Sequence, residues 1–245
     1  MEDDFLLDDS ETTGVSYPQD YSLNTLNFLS ASGQRTELKK LLVTLSYYED
    51  IFSFAVSGSI TLIDAQGFLE SLQLTGNEFI EVNFGKIKGA KNTEDQIFRV
   101  YKVGKRVTAD SNQNEVFTLL FCSEEFLLSE QYRISKSMKG KQISDIISSI
   151  FTNYLKIGSG STKKIAIEPT QGVYDFILPN KKIFETINWL ATYAQSKNSA
   201  GDFLFFENSN GYFFNSLYTL FQGSIYNNYK FDPKNITTDM NQMLS

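Results

Sequence analysis

Few residues in this chain have the types and spacing that chemistry requires. Its 245 residues contain no histidine and one cysteine, Cys122. Ser–His and Cys–His nucleophilic catalysis are therefore excluded, as are histidine-ligated metals and cysteine-built zinc sites within one chain. Cys122 lies in an apolar stretch, has no internal disulfide partner and reads as a small buried hydrophobe. Asp110-Ser-Asn112-Gln-Asn114 begins like a calcium loop. Glu115 stands where glycine is needed and Phe121 where the bidentate glutamate belongs, so a polar hairpin turn fits better. Gly140-Lys141 has the ending of a phosphate-binding loop, but Ser135 replaces the first glycine and no proper strand leads into it. Asn235-Ile-Thr237 fits a glycosylation sequon, which means little without a secretion signal.

Glu49, Asp64, Glu70, Glu78 and Glu207 are available as glycosidase carboxylates. That chemistry needs two carboxyl groups within roughly 5 to 10 Å of each other in an open cleft. Nothing in the sequence brings two of these together, so structural or solvated roles are expected for each. The aromatic run over 203–214 could stack sugars or bases. Its side chains are apolar on both faces, which fits a buried strand pair better than an exposed platform. The expectation is a non-enzymatic chain with no cofactor and no metal.

The stretch 173–217 reads as strand, helix and hairpin. Val173 to Leu178 is a short apolar strand stopped by Pro179. Asn180 is the expected N-cap of a helix over 181–195, with Ile183, Phe184, Ile187, Leu190, Ala191 and Ala194 along one face. A polar loop with Gly201 follows. Aromatic strands over 203–207 and 212–217 are joined by Asn208-Ser-Asn-Gly211, a strong hairpin signal because Asn and Gly both tolerate positive φ.

Upstream, strands are expected over 23–31, 37–48, 56–64, 78–84, 96–107 and 115–122, with one helical turn over 67–72 and a charged loop over 85–95. Counting these, the first half is a five- to six-stranded antiparallel sheet or barrel. Residues 123–135 cross into the second half. There 142–155 is an amphipathic helix, 156–164 a Gly/Ser-rich surface loop and 164–168 a strand. Residues 218–245 turn polar and complete no clear element. The fold class is β-rich α+β with a few amphipathic helices.

Phe (21) and Tyr (13) dominate a 41% hydrophobic composition, enough for a real core. No apolar run reaches the ~18 residues of a membrane span, and no signal-peptide layout opens the chain; folding in a cytoplasm is expected. The formal charge is -7, and seven acids with no Lys or Arg fall in residues 1–20. The remaining 22 acids match 22 Lys plus Arg, so the body is formally neutral. A neutral body argues against specific nucleic-acid binding. Residues 1–20 read as an acidic flexible arm. Within it Phe5, Leu6 and Leu7 could dock on a neighbouring subunit.

Thr36-Glu-Leu-Lys-Lys-Leu-Leu-Val-Thr-Leu-Ser-Tyr-Tyr-Glu49, Val56-Ser-Gly-Ser-Ile-Thr-Leu-Ile-Asp64, Gly67-Phe-Leu69 and Leu72-Gln-Leu-Thr-Gly-Asn-Glu78 resemble the first tube domain of baseplate hub proteins of T-even-like contractile-tailed phages. The order helix (142–155), strand, helix, aromatic hairpin is similar to the wider group of late control protein D and VgrG hubs. The resemblance covers about 23–220. It implies two tandem tail-tube-like antiparallel β-barrel domains, 21–135 and 136–245, in either a minimal hub or one whose later region is missing. It further implies a homotrimeric pseudo-sixfold ring in the virion's tail baseplate, assembled in the host bacterial cytoplasm. That ring would join the sixfold tail tube to the threefold central spike and let DNA pass. Implied partners are the spike, the tail tube or its initiator, the baseplate wedge and the tape measure protein. The hairpin over 84–96, with Lys86, Lys88 and Lys91, is the expected contact to a neighbouring subunit. A tail-associated glycan hydrolase and a tube initiator or adaptor stand as alternatives.

Overall fold

A computed structural model describes residues 22–64, 67, 74–85, 95–108, 115–155, 163–198 and 201–223. The arm with Phe5, Leu6 and Leu7, the hairpin tip with Lys86, Lys88 and Lys91, Glu70 and the turn over 110–114 lie outside the described residues, as does nearly all of the helical turn over 67–72.

The first half forms one antiparallel sheet. Its strands are β1 (Ser22–Leu29), β2 (Arg35–Glu37), β3 (Leu42–Tyr48), β4 (Ser57–Asp64), β5 (Phe79–Gly85), β6 (Gln96–Thr108) and β7 (Glu115–Cys122). Their order across the sheet is β2-β1-β5-β6-β7-β4-β3. Alternation decides which face is buried. Ile60 and Leu62 of β4 and Phe117, Leu119 and Phe121 of β7 all point into one cluster with Phe28. Gly58 permits close approach there, because a Cβ at that position would lie 2.3 Å from both the Phe121 ring and the Ser46 carbonyl oxygen.

The two edge strands are consecutive in sequence, and this curls the sheet. Five Cα steps from Glu37 to Leu42 span at most ~17 Å, whereas opposite edges of a flat seven-stranded sheet stand ~29 Å apart. The link contains a short 3₁₀ turn, Lys39–Leu41, and buries Leu38, whose N–H donates to the Leu26 carbonyl at 2.9 Å. The result is a half-barrel. The strand expected over 37–48 is therefore cut at 38–41, where the chain turns the corner between the edges.

The second half carries more helix. Its elements are α1 (Glu124–Gln131), β8 (Arg133–Ile134), β9 (Ser137–Lys141), α2 (Ile143–Ile150) widening into a π turn (Phe151–Leu155), β10 (Lys164–Ile167), β11 (Tyr174–Ile177), β12 (Lys181–Lys182), α3 (Ile183–Ala191), β13 (Phe203–Asn208), β14 (Gly211–Ser216) and α4 (Leu217–Phe221). Among the described residues these strands form three small sheets, β10-β14-β13, β9-β11 and β8-β12, with β10 parallel to β14. The apolar faces of α2 and α3 bury Ile146, Ile150, Ile183 and Ile187 against the aromatic hairpin in a second cluster. Phe205 stacks on Tyr212 at 6.0 Å and meets Phe184 edge-on at 5.1 Å. Both strands of that hairpin are largely buried, as their two apolar faces suggested.

Two local expectations are corrected. Asn180 is not a helix cap: it takes a positive φ of 50°, a conformation asparagine tolerates, and turns the chain after Pro179 into β12. The helix begins three residues later, after Lys182, with no side-chain cap. At the hairpin tip only Gly211 adopts positive φ, not Asn210. Residues 124–131 form a helix that was not expected. Among the described residues no helix is long and apolar enough to cross a membrane.

Candidate functional site: a charge cluster where the halves meet

The carboxylates singled out in the sequence occupy different environments. Glu78 folds back on its own turn, accepting from Thr75 N–H at 2.6 Å, the Thr75 hydroxyl at 2.8 Å and Gly76 N–H at 2.8 Å. Burial pushes its carboxyl up, but these donors outweigh burial and hold it below the usual glutamate range. Glu49 accepts from Ser209 N–H at 2.6 Å and from the Tyr47 hydroxyl at 3.1 Å, tying the end of β3 to the β13–β14 tip. Asp64 is buried at the end of β4.

Glu207 is the exception. It sits near the end of β13, directly after Phe205 and Phe206, and is 2% exposed. Burying a carboxylate in such surroundings is costly unless it is paired and hydrogen-bonded. Both of its oxygens are occupied. Oε1 takes the Lys163 ammonium at 2.7 Å. Oε2 accepts from Val56 N–H at 2.9 Å and from the Ser123 hydroxyl at 2.5 Å. Lys163 also reaches Glu125 Oε2 at 2.5 Å, an atom that accepts from the Tyr212 hydroxyl at 3.3 Å. The same ammonium lies 5.4 Å from the centre of the Tyr212 ring.

Each element supplies its group for a local reason. Ser123 opens α1 at the end of β7, and Glu125 falls in that helix's first turn, where a negative charge is favourable. Lys163 directly precedes β10, which runs parallel to β14. Val56 directly precedes β4. Val56 and Ser123, at the end of β7, come from the first half, and Glu125, Lys163, Glu207 and Tyr212 from the second. The cluster therefore fastens the two hydrophobic clusters to each other. Its electrostatics follow from burial and pairing. Burial pushes Glu207 up, with Lys163 and the two hydrogen bonds acting against it. Burial alone would lower Lys163, but two carboxylates on one ammonium outweigh it and keep the lysine charged. Burial also drives the Tyr212 hydroxyl well up. Cys122, adjacent to Ser123, is pushed up by burial to about 12 and remains a thiol.

A cleft of about 720 Å³ opens beside the cluster. Tyr47, Glu49, Phe84 and Gln96 line it from the first half, Lys163 and Asn210 from the second. Gln96 bridges it by donating to the Ser209 carbonyl at 3.0 Å. Glu125 faces the cleft while Glu207 does not. A glycosidase needs both carboxylates free to face the substrate. Here the buried member is saturated by Lys163, Ser123 and Val56, so the pair is built to hold the halves together. Among the described residues no group of His, Cys, Asp and Glu is arranged to hold a metal ion.

The sequence pointed to Glu207 but not to its partners Lys163, Glu125 and Ser123. The available signal was one carboxylate directly after the apolar run Phe203-Leu-Phe-Phe206. None of the predicted partner-contact residues, Phe5, Leu6, Leu7, Lys86, Lys88 and Lys91, falls within the described residues.

No protein-family profile and no curated protein matches the sequence. Solved structures do match. The tail protein from Neisseria meningitidis MC58 is similar with a TM-score of 0.50 and 12% identity, over 79% of this chain and 50% of that one. A chain of the Francisella PdpA–VgrG complex, in its lidded form, is similar with a TM-score of 0.50 and 12% identity, over 89% of this chain and 32% of that one. This chain thus spans half the length of the first and about a third of the second. At that identity the likeness is one of fold: β-rich, with a curled antiparallel half-barrel and few helices.

Proposed function

We propose that this chain is a structural, non-enzymatic component of a contractile phage tail, acting as the baseplate hub. Three copies form a ring, each contributing two tube-like β domains (21–135 and 136–245), so that six units in pseudo-sixfold array join the sixfold tail tube to the threefold central spike. The observation that carries this reading is the curled half-barrel with open strand edges. Among the described residues β3 pairs only with β4. β6 pairs with β5 only through its first four residues, so among the described residues positions 101–108 have β7 on one side alone. Open edges of this length recruit strands from a neighbour. The tail-protein fold and the sequence resemblance support the same assignment. A formally neutral body supports a bore that passes DNA without holding it.

In this reading the partners are other copies of the chain, the central spike, the tail tube or its initiator, the baseplate wedge and the tape measure protein. The chain assembles in the host bacterial cytoplasm and resides in the virion. Light scattering of the assembled protein and the symmetry of the particle in electron images test it. A trimer in a threefold position is expected. A stable monomer, or a ring of six single-barrel copies as a tube initiator would form, overturns it. Turnover of cell-wall glycan that disappears in Glu125→Gln would replace it with the hydrolase reading.

A further inference from the structure

The second half carries a concentrated positive patch. Arg133, Lys136, Lys139 and Lys141 fall within nine residues that hold no Asp or Glu, and all four are exposed. Arg133 donates to the Asn180 carbonyl at 3.3 Å. Lys136, Lys139 and Lys141 make no ion pair among the described residues. Asp175, on the facing strand, accepts from Gly140 N–H at 2.7 Å.

These cations lie on and beside β9, which among the described residues pairs only with β11. Register defines the open face of the ribbon. Phe176 opposes Met138 and faces inward, where it meets Trp189 edge-on at 5.5 Å. The next pair, Ile177 and Ser137, therefore faces outward. Ile177 is 76% exposed, and Val173 at the other end of β11 is 66% exposed. An isolated two-stranded ribbon is marginal in water. Large exposed apolar side chains among unpaired cations mark a docking surface.

The chain itself contains a segment of the opposite character. Residues 1–20 hold seven acids and no Lys or Arg, whereas the rest of the chain is formally neutral. Within that segment Phe5-Leu6-Leu7 is bracketed by Asp3-Asp4 and Asp8-Asp9. The chain from Asp9 to Ser22, where β1 begins, can span up to ~40 Å. That is roughly the width of a folded chain of this size.

We propose that residues 2–9 dock on the outer face of the β9–β11 ribbon, with Phe5, Leu6 and Leu7 covering Val173 and Ile177 and the bracketing aspartates meeting Lys136, Lys139 and Lys141. The acidic arm thereby neutralises this positive patch. The docking is independent of ring formation, since the segment reaches the ribbon of its own chain or of a neighbour.

Brief acetylation of the full-length protein, read by mass spectrometry lysine by lysine, tests this. Lys40, exposed on the first half, serves as the internal control. In the parent chain Lys139 and Lys141 should react at least ~5-fold more slowly than Lys40, the protection given by an arm docked about four-fifths of the time. The Phe5→Ser, Leu6→Ser, Leu7→Ser variant should raise both to the Lys40 rate. So should Asp3→Asn, Asp4→Asn, Asp8→Asn, Asp9→Asn. An unfolding midpoint equal to the parent's confirms an intact fold in both variants. Equal rates in the parent overturn the proposal. Slow rates that the arm variants leave unchanged also overturn it, because something other than residues 2–9 then covers the ribbon.

Discussion

At the scale of residues, most of the argument runs through Lys163. Its ammonium joins Glu125 and Glu207 at 2.5 and 2.7 Å, and Glu207 has almost no access to water. Lys163→Met should cost about 3–5 kcal/mol, because it leaves a buried carboxylate without its cation. The double variant Lys163→Met, Glu207→Gln should recover part of that loss, since the charge that needs compensation is then gone. Denaturant midpoints of the two variants check both statements, and a double variant no more stable than the single one would contradict the account. Glu78 gives a pH dependence of known sign. Its carboxyl is held below its ordinary range in the folded state. Its contribution is therefore present above the unfolded value of about 4.3 and is lost as the pH falls through the lower folded value. Stability curves of the parent and Glu78→Gln, measured from pH 7 downward, should differ most above about pH 5 and converge in acid.

At the scale of elements, the hairpin tip shows how one residue fixes a sheet. Gly211 has a φ of 131°, and a Cβ there would lie 2.2 Å from the Lys164 carbonyl oxygen. Gly211→Ala should therefore separate β10 from β14 and lower stability by more than the ~1 kcal/mol of an ordinary glycine replacement. Thermal unfolding measures it, together with faster amide exchange in Lys164–Ile167. The strongly periodic elements were legible in the sequence. β4, β7 and α2 emerged near their expected bounds because each has one dominant apolar face, and the aromatic hairpin because its apolar runs flank an Asn-Gly turn. Others were hidden for physical reasons. The break at 38–41 was invisible because Leu41, Val43, Leu45 and Tyr47 alternate and carry the strand pattern back past Leu42. Helix α1 was missed because Phe126-Leu-Leu128 is a cluster rather than a stripe. The β10–β14 pair is parallel and joins residues far apart in the chain, which no local pattern reports. The charge cluster had the same problem: Glu207 announced itself, but Lys163 lies 44 residues away and Glu125 farther still.

At the scale of the whole molecule, two hydrophobic clusters are coupled through one ionic junction and through Glu49, which reaches across to Ser209. Phe54, from the first half, also packs into the second cluster. A hub of this construction would present its two halves as one unit, which suits a part that must hold two symmetries in register. The trimer expected from light scattering belongs to this scale, as does the arm's neutralisation of the β9–β11 ribbon.

The short link between β2 and β3 acts as a drawstring on the half-barrel. Hydrogen bonds fix how strands lie side by side, but they leave the total curvature soft. Here the curvature is set by the number of residues from Glu37 to Leu42, a covalent length that neither temperature nor solvent alters. In a ring built from such sheets, the gauge of the bore would be written in a residue count.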